Sequence, residues 1–507
     1  MTADEEPFEL LEGLLLRHAA CRPHSPAVVG HDRDFTWLEL LEAARGVAAG
    51  LSSRGVVPGD RVALRLGNTG AFVAAAMGCI WLGATFLPLS VDDPPERARQ
   101  IIDDCHPALV VQLEQPGGPL PEAPPVVALA ELYDAGAPPA QAPDPAADAY
   151  IIYTSGTTGS PKGVRISRSA FAWSIDRIAG SIGLGERSRS LCVSAFHFDG
   201  SYTCLFATLW AGGTVVVARR DRLLFVTPFF RAVSSHSITH SSFSPSYLRL
   251  LLRSPRAAGL GDSQLVTLGL GGEECRVEDL RGLWDVHPSL RVFNLYGPTE
   301  TTLDVTTFEV DPSGLGRGSV PIGRPHRGVS FHLAGEDGAV IEGAGSGELH
   351  IGGRQLMTGY WGDAELTGRV MTDRLIPGTP LYRTGDIVRR EPDGLYYYVG
   401  RADDVVKRHG VRISLGEIEA ALRAQPGVDG AACACIDIDG KLGIAAFAQA
   451  PGGADQLRSG LARLLPATMI PDRLYTTEAL PLNSSGKTDR GAAVRLFGCV
   501  PWRERAQ

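Results

Sequence analysis

Residues 149–163 read Ala149-Tyr-Ile-Ile-Tyr-Thr-Ser-Gly-Thr-Thr-Gly-Ser-Pro-Lys-Gly163, an apolar run that passes directly into a polar loop. The apolar part predicts a buried strand. Every residue from Thr154 to Ser160 is glycine or carries a hydroxyl. Hydroxyls, accessible backbone N–H groups and the charge of Lys162 together predict a phosphate-binding loop. The loop is not a Walker A motif, because a proline precedes the lysine where that motif has glycine.

Outward from this loop, short apolar runs alternate with amphipathic stretches, which predicts βαβ units and an α/β fold. Examples are a strand at 61–65, a helix at 71–82 and strands at 85–89, 191–195, 214–218, 264–268 and 290–293. Residues 115–148 are rich in Pro, Ala and Gly and predict a connection with one short helix at 127–133. Residues 318–400 are β-rich. A new unit is expected after Arg401, so we predict domains at 1–402 and 403–507.

The composition excludes several classes of protein. The chain of 507 residues has 48 Lys and Arg against 57 Asp and Glu, a net charge of −9, so a nucleic acid partner is not expected. The acidic start lacks the pattern of a secretory signal, and no run of about 18 apolar residues predicts a membrane span. Nine scattered cysteines indicate reduced thiols. We therefore expect a cytoplasmic protein that binds no membrane.

Six motifs in order resemble those of the adenylate-forming superfamily, which includes acyl-CoA synthetases, luciferases and adenylation domains of nonribosomal peptide synthetases. Besides residues 153–163, they are Asn294-Leu-Tyr-Gly-Pro-Thr-Glu300, Gly347-Glu-Leu, Tyr382-Arg-Thr-Gly-Asp386, Gly400-Arg-Ala-Asp403 with Gly416-Glu-Ile-Glu, and Asn483-Ser-Ser-Gly-Lys487. The resemblance implies a large N-terminal domain of packed α/β sheets with a β-rich subdomain. A small mobile α+β domain would follow it.

The resemblance also implies ATP and Mg²⁺ as cofactors. Tyr296 would stack on adenine, Thr299 would donate to the α-phosphate, and Glu300 would bind the metal ion. Asp386 would accept from the ribose hydroxyls, and Arg401 would hold phosphate or ribose oxygens. The full set of expected nucleotide-binding residues is Thr154, Ser155, Gly156, Thr157, Thr158, Gly159, Lys162, Gly271, Gly272, Glu273, Asn294, Tyr296, Gly297, Asp386 and Arg401.

Three residues are expected to act in catalysis: Lys487, Thr299 and Glu300. Joining a carboxylate to ATP brings two anions together, and a mobile lysine could orient both. By resemblance, Lys487 reaches the site from the C-terminal domain, which rotates about a hinge at Asp403. The other orientation would present residues 401–416 to a pantetheine thiol.

The stretch Phe196-His-Phe-Asp199-Gly-Ser201 resembles the element of amino-acid-activating members in which an aspartate pairs with the substrate ammonium. An ammonium ion entering a dry pocket needs such a partner; the alternative for Asp199 is a helix cap. The expected substrate residues are Asp199, Gly200, Thr203, Ser242, Gly269, Gly271, Leu295, Leu303 and Asp304. The three glycines and two leucines predict a roomy, mostly apolar cleft suited to a neutral aliphatic or aromatic amino acid, in which the role of Asp304 stays open.

The resemblance therefore implies a ligase that adenylates an amino acid and loads it onto the phosphopantetheine thiol of a separate carrier protein in natural-product biosynthesis. The chain ends at Gln507, 20 residues after Lys487, which favours a free-standing enzyme. The stretch from Phe196 to Tyr202 resembles stand-alone members that activate β-amino acids for macrolactam antibiotics, and an α-amino acid is the equal alternative. An acyl- or aryl-acid CoA ligase and an inactive scaffold paralogue are the competing hypotheses.

Overall fold

The computed structural model describes residues 9–113, 124–133, 144–154, 161–223, 225–313, 319–401, 405–481 and 488–502. Within these ranges, the helices are α1 (Leu11–Cys21), α2 (Trp37–Ser53), α3 (Gly70–Leu82), α4 (Pro95–Cys105), α5 (Arg168–Ile182), α6 (Tyr202–Trp210), α7 (Arg220–Leu223), α8 (Val226–Ser235), α9 (Pro245–Leu252), α10 (Val277–Val286), α11 (Ala364–Val370), α12 (Leu415–Arg423), α13 (Ala454–Leu464) and α14 (Arg490–Leu496). None of the helices in these ranges is long and apolar enough to cross a membrane.

The strands before residue 310 are β1 (Pro26–Gly30), β2 (Phe35–Thr36), β3 (Arg61–Arg65), β4 (Thr85–Pro88), β5 (Leu109–Gln112), β6 (Val126–Ala128), β7 (Asp148–Thr154), β8 (Lys162–Ser167), β9 (Arg189–Cys192), β10 (Thr214–Val217), β11 (His240–Phe243), β12 (Thr267–Gly271), β13 (Arg291–Tyr296) and β14 (Thr306–Glu309). The later strands are β15 (Val329–Ala334), β16 (Gly345–Gly353), β17 (Gly359–Tyr360), β18 (Met371–Thr372), β19 (Leu381–Arg390), β20 (Tyr396–Arg401), β21 (Val405–Arg408), β22 (Val411–Ser414), β23 (Gly430–Ile438), β24 (Lys441–Gln449) and β25 (Arg473–Thr477).

Two large sheets form the N-terminal part of the chain. One has the order β14-β13-β12-β11-β9-β10-β1-β2 and is parallel except at its two edge strands. The other has the order β17-β8-β7-β4-β3-β5-β6 and becomes antiparallel from β7 to β17. The predicted α/β class with packed sheets is therefore confirmed.

One apolar cluster contains residues from both large sheets and from α1, α2, α3, α5 and α6. Aromatic rings occupy its centre: Tyr150 lies 4.9 Å from Phe171, and Tyr202 lies 5.0 Å from Phe206, measured between ring centroids in edge-to-face geometry. Such pairs stabilise a core beyond the area they bury. This cluster lies directly behind the stretch that carries Asp199, because Tyr202 is the first residue of α6.

The rest of the chain forms smaller sheets. β15, β16, β18, β19 and β20 make an antiparallel sheet, as the β-rich texture of residues 318–400 predicts. After residue 404, the β21–β22 hairpin and the β23-β24-β25 sheet pack with α12 and α13 around a separate apolar cluster. The predicted boundary between residues 402 and 403 lies outside the described residues and stays a prediction.

Three local predictions differ from the structure, and one of them, the strand expected at 191–195, lies at Arg189–Cys192. The helix expected at 127–133 is strand β6 followed by a 3₁₀ turn at Leu129–Leu132. Val126 and Val127 are β-branched, and pairing with β5 at the sheet edge favours the extended backbone. The strand expected at 264–268 lies at Thr267–Gly271, where it pairs with β11 and β13.

The contact between α2 and α3 requires a residue without a side chain at position 78. A Cβ built on Gly78 would lie 2.5 Å from Val47 Cγ1 and 2.9 Å from the Ala44 carbonyl oxygen. We expect Gly78→Ala to lower stability by about 1–3 kcal/mol, because the tight crossing cannot take an extra methyl group. Thermal unfolding followed by circular dichroism measures the effect.

Gly180 provides the matched control, because it lies exposed in α5 and its Cβ would meet nothing within 4 Å. Gly180→Ala is expected to leave the unfolding temperature unchanged or to raise it, since alanine has the higher helix propensity. Equal unfolding temperatures for the two variants would contradict the proposed close packing at Gly78.

Candidate active site

Lys162, Glu300 and Tyr360 form a hydrogen-bonded cluster beside the predicted phosphate loop. The Lys162 ammonium donates to Glu300 Oε1 at 3.0 Å and to the Tyr360 hydroxyl at 2.7 Å. Tyr360 in turn donates to Glu300 Oε1 at 2.7 Å, and the ammonium lies 4.3 Å from the centre of its ring. Glu300 is fully buried. A buried carboxylate is tolerated only with such partners, so the cluster holds a negative charge at a fixed position.

Tyr360 is a site residue that the sequence motifs missed. It lies in β17, which pairs with β8 directly after Lys162. Lys162 begins β8, and Glu300 lies in the 3₁₀ turn Thr299–Thr301 that follows β13. The cluster therefore depends on a pairing between distant strands, for which the sequence around Tyr360 gives no local signal.

Thr154 ends β7 opposite Lys162 in the β7–β8 ladder. Its hydroxyl oxygen is buried and has no hydrogen-bond partner among the described residues. A buried hydroxyl without a partner is costly, and a phosphate oxygen would satisfy it. The next expected loop residues, Ser155, Gly156, Thr157, Thr158 and Gly159, lie outside the described residues.

Asp386 lies at the centre of a second buried cluster. The Tyr296 hydroxyl donates to its Oδ2 at 2.6 Å, and Arg401 donates to its Oδ1 at 2.6 Å. Arg401 also donates to the Thr384 carbonyl oxygen at 3.2 Å. Each carboxylate oxygen retains a second lone pair for a ligand hydroxyl. The structure thus brings together three residues that the sequence assigns to the nucleotide, and they bond to one another.

The Tyr296 ring forms one wall of a narrow cavity at the ends of β12 and β13. Asn294 supports this wall, because its side-chain amide donates to the Pro321 carbonyl oxygen at 2.8 Å. The cavity is lined by Gly272, Glu273, Glu274, Cys275, Asn294, Leu295, Tyr296, Gly297, Ser319, Val320, Ile322, Tyr398 and Lys407. Tyr398 and Lys407 are further residues that the motifs missed. The Lys407 ammonium lies 5.4 Å from the centre of the Tyr296 ring.

The β21–β22 hairpin reaches this cavity from the C-terminal part of the chain. The backbone N–H of Gly410 donates to Glu273 Oε1 at 2.9 Å, and Ser246 donates to both oxygens of the same carboxylate. A Cβ on Gly272 would lie 3.1 Å from the Gly410 Cα, and both glycines have positive φ angles of 81° and 76°. Glu273, which the sequence assigns to the nucleotide, holds the hairpin in this structure.

A buried ion pair gives the second contact between the two parts of the chain. Arg97 in α4 donates to Glu417 Oε1 in α12 at 2.5 Å, and Asp93 lies 3.6 Å from the same guanidinium. The side chains of Arg97 and Glu417 are 7% and 2% exposed. Removing one member of such a pair leaves an uncompensated buried charge. The pair therefore favours the orientation of the C-terminal unit seen here.

Asp199 begins the 3₁₀ turn Asp199–Ser201 that leads into α6. Burial raises the pKa of Asp199 to about 6; the Thr299 hydroxyl and the Gly200 N–H oppose the rise, and the charge of Glu300 adds to it. Within the described part of the chain, no arginine or lysine forms an ion pair with this carboxylate. A carboxylate that is partly buried and has no ion-pair partner in the described part of the chain is suited to bind a cationic ligand.

Thr203 and Asp304 meet in the same pocket. The Thr203 hydroxyl donates to Asp304 Oδ2 at 2.7 Å. Burial raises the pKa of Asp304 to about 7, the Thr203 hydrogen bond opposes the rise, and the charge of Asp199 adds to it. The Asp304 carboxylate therefore lies against Thr203, which is another of the residues expected to bind the substrate.

Two of the three glycines expected to leave room for the substrate are packed against Leu295. Ser242, Gly269 and Phe293 are neighbours across β11, β12 and β13. A Cβ on Gly269 would lie 2.7 Å from Leu295 Cδ1, so the leucine side chain already fills that space. Gly271 likewise packs against Leu295, and Gly200 alone of the three faces open space. Leu303 is buried in the same apolar cluster as Leu295.

Two further expected residues, Lys487 and Asp403, lie outside the described residues, so their roles stay predictions. Six of the nine cysteines are buried. Burial raises the pKa of the Cys105 thiol to about 11, which keeps it protonated at neutral pH.

Comparisons with known proteins agree with this geometry. A family profile described as AMP-binding enzyme matches residues 15–361. Phenyloxazoline synthase MbtB of Mycobacterium tuberculosis is 34% identical over 505 residues, which cover 96% of this chain and 35% of that protein. The chain thus spans about a third of the length of this relative.

Solved structures show the same fold. PA1221, described as a nonribosomal peptide synthetase protein with adenylation and PCP domains, superposes with a TM-score of 0.85 and 25% identity, covering 96% of this chain and 84% of that one. The o-succinylbenzoate CoA synthetase MenE of Bacillus subtilis superposes with a TM-score of 0.81 and 23% sequence identity. The match covers 94% of this chain and 97% of that one. The chain belongs to the family of AMP-binding enzymes, the adenylate-forming superfamily, and is homologous to the adenylation domains of nonribosomal peptide synthetases.

Proposed function

We propose that this AMP-binding enzyme activates an amino acid as its aminoacyl adenylate and transfers the aminoacyl group to the phosphopantetheine thiol of a carrier protein. The amino acid carries its amine at the α or the β carbon. The proposal rests on the environment of Asp199. Its carboxylate is partly buried beside Thr299 and Glu300, and no described arginine or lysine neutralises it. A substrate ammonium would supply the missing charge.

The residues around the loop support the nucleotide half of the reaction. Thr154 offers a buried hydroxyl, Lys162 a cation, and Glu300 a carboxylate of the kind that Mg²⁺ accepts together with substrate phosphates. When bound, the metal ion neutralises phosphate charge. Lys162 would then exchange Glu300 for a phosphate oxygen, and Thr299 would lie between the carboxylate pocket and the nucleotide. Lys487 remains the proposed catalytic cation, by resemblance.

The position of the β21–β22 hairpin supports the transfer half. Residues 405–414 lie against the cavity through Gly410 and Lys407, which fits the orientation proposed for thioester formation. PA1221 is described as containing adenylation and PCP domains, which makes a carrier protein a reasonable partner here. We expect no nucleic acid or membrane partner, and a cytoplasmic location.

A CoA ligase acting on an amine-free acid is the second candidate, because MenE shares the fold. Such an enzyme has no cation to bind, so an unpaired carboxylate at Asp199 would oppose its substrate. The decisive experiment is ATP–pyrophosphate exchange with α-amino acids, their β-isomers and the same acids without the amine. Exchange restricted to amines supports the proposal, and the α or β preference defines the substrate. Equal exchange with amine-free acids contradicts it.

We predict that Asp199→Ala lowers kcat/KM for the preferred amino acid by about a hundredfold, the cost of leaving a desolvated ammonium without its partner. The affinity for ATP, measured by calorimetry, should stay within about twofold. Asp311→Asn is the matched control, because that carboxylate is exposed and accepts its described hydrogen bonds from Ser313. An unchanged kcat/KM in the Asp199 variant would reduce this residue to a helix cap.

We predict that Tyr360→Phe raises the Mg²⁺ and ATP concentrations needed for half-maximal exchange by about two- to tenfold. The hydroxyl fixes Glu300, and a hydrogen bond of this kind contributes about 0.5–1.5 kcal/mol. Calorimetric titration with Mg·ATP gives a readout that does not depend on turnover. Tyr397→Phe is the control, because its hydroxyl has no hydrogen-bond partner in the described ranges. Identical titrations for both variants would exclude the proposed role of Tyr360.

We predict that Glu417→Gln slows transfer to the carrier thiol more than adenylation, because it weakens the ion pair with Arg97 that favours the present orientation. Pyrophosphate exchange measures adenylation, and single-turnover loading of a phosphopantetheinylated carrier protein measures transfer. Glu309→Gln, which removes an exposed pair with Arg291, serves as control. Equal losses in both half-reactions would contradict an effect on orientation.

A further inference from the structure

Asp304 gives the substrate pocket a second carboxylate close to Asp199. The 3₁₀ turn that begins at Asp199 leads into α6, in which Thr203 is the second residue, and the charge of Asp199 acts on the Asp304 carboxyl. The Thr203 hydroxyl donates to Asp304 Oδ2 at 2.7 Å, which fixes Asp304 beside the start of α6. The other oxygen, Oδ1, has no hydrogen-bond donor among the described residues and can accept from a ligand.

The backbone before Asp304 holds this arrangement. Thr302 and Leu303 have φ angles of 54° and 65°, in the left-handed region that residues other than glycine rarely occupy. The Thr302 hydroxyl donates to the Gln355 carbonyl oxygen at 2.7 Å, and the Val305 N–H donates to the Tyr296 carbonyl oxygen at 2.8 Å. Consecutive left-handed residues persist only where the surroundings enforce them. The chain is therefore held so that residue 304 reaches the pocket.

The charges around the two carboxylates do not balance within the described chain. Neither Asp199 nor Asp304 forms an ion pair with an arginine or lysine in the ranges that the structure describes. The charge of Lys407 nevertheless acts to lower the pKa of Asp304. Two carboxylates this close disfavour each other's ionised forms. The single ammonium of an ordinary amino acid can pair with one of them, which leaves the other without an ion-pair partner in the described chain.

The apolar surface of the pocket limits the length of the ligand. Leu295 fills the space beside Gly269, and its Cδ1 atom would lie 2.7 Å from a Cβ at that position. A ligand side chain that extends to Gly269 would have to displace this leucine, whereas one that ends before Gly269 would not.

We propose that Asp304 binds a second ammonium group, so that the substrate is a short diamino acid, with one amine on Asp199 and the other on Asp304. The inference rests on the proposed function, because it assigns Asp199 to the first ammonium. It replaces the neutral aliphatic or aromatic substrate that the glycines and leucines of the pocket suggest. Thr203 acts as a positioning residue, because it holds the Asp304 carboxylate.

The test compares three kinds of substrate of similar size in pyrophosphate exchange. The diamino acids are 2,3-diaminopropionate and 2,4-diaminobutyrate, the neutral donors are serine and homoserine, and the apolar reference is 2-aminobutyrate. We expect kcat/KM for the better diamino acid to exceed that for 2-aminobutyrate at least about tenfold. This is the effect expected when the second ammonium gains a charge-assisted hydrogen bond to Asp304. A preference for serine or homoserine, or for 2-aminobutyrate, would overturn the second ammonium.

Two variants test the residue itself. Asp304→Asn, which is isosteric, should lower kcat/KM for the diamino acid at least about tenfold, and Asp304→Leu should also raise it for 2-aminobutyrate, reversing the preference. Thermal unfolding and calorimetric binding of ATP report whether each variant is folded. An unchanged ratio of the two kcat/KM values in a folded Asp304→Asn variant would overturn the proposal.

Different results would contradict the proposed function and the assignment of a second ammonium to Asp304. Exchange with amine-free acids at the rate of their amino analogues would remove the proposed function together with this inference. Exchange that requires one amine but gains nothing from a second would leave the proposed function standing and remove this inference alone.

Discussion

The need to pair buried carboxylates governs the architecture of this site. Glu300 and Asp386 are almost completely inaccessible, and each is held by one cation and one tyrosine hydroxyl: Lys162 with Tyr360, and Arg401 with Tyr296. Lys162, Glu300 and Tyr360 come from distant parts of the chain, whereas Asp386 and Arg401 lie on the consecutive strands β19 and β20 and are joined by Tyr296 from β13. Strands β8, β13, β17, β19 and β20 must therefore be in place together before both charges can be buried. Correct folding of three sheets and assembly of the site are the same event.

One short turn connects the two halves of the site. In the 3₁₀ turn Thr299–Thr301, Thr299 faces Asp199 while the adjacent Glu300 faces Lys162. A shift of this turn would move the residue beside the amino acid pocket and the residue beside the phosphate loop at once. The chemistry proposed here requires an acid and a nucleotide to approach within bonding distance. Because Thr299 and Glu300 are adjacent on one turn, the N-terminal part of the chain can hold the acid and the nucleotide close together without changing its conformation.

The sequence predicted the α/β class and placed several strands within a few residues, because apolar periodicity and β-branched residues are local signals. It also singled out Lys162, Glu300 and Asp386, which lie in the two buried clusters, because their motifs are local as well; their roles stay predictions. It missed Tyr360 and Lys407, whose positions follow from strand pairing and from the approach of a hairpin. It overestimated the space left by Gly269, since the Leu295 side chain crosses from the neighbouring strand to fill it. The volume of a pocket depends on how side chains from one strand point toward the neighbouring strand, and the order of residues in the sequence does not contain that information.

The ion pair between Arg97 and Glu417 joins residues that are 320 positions apart in the chain. A junction near residue 402, where we predict the domain boundary, would separate these two side chains in a hybrid of two homologues. A donor domain without a glutamate at the position of Glu417 would leave the Arg97 guanidinium buried without its main partner. Compatibility of exchanged domains can therefore be judged from these two positions before any hybrid is made.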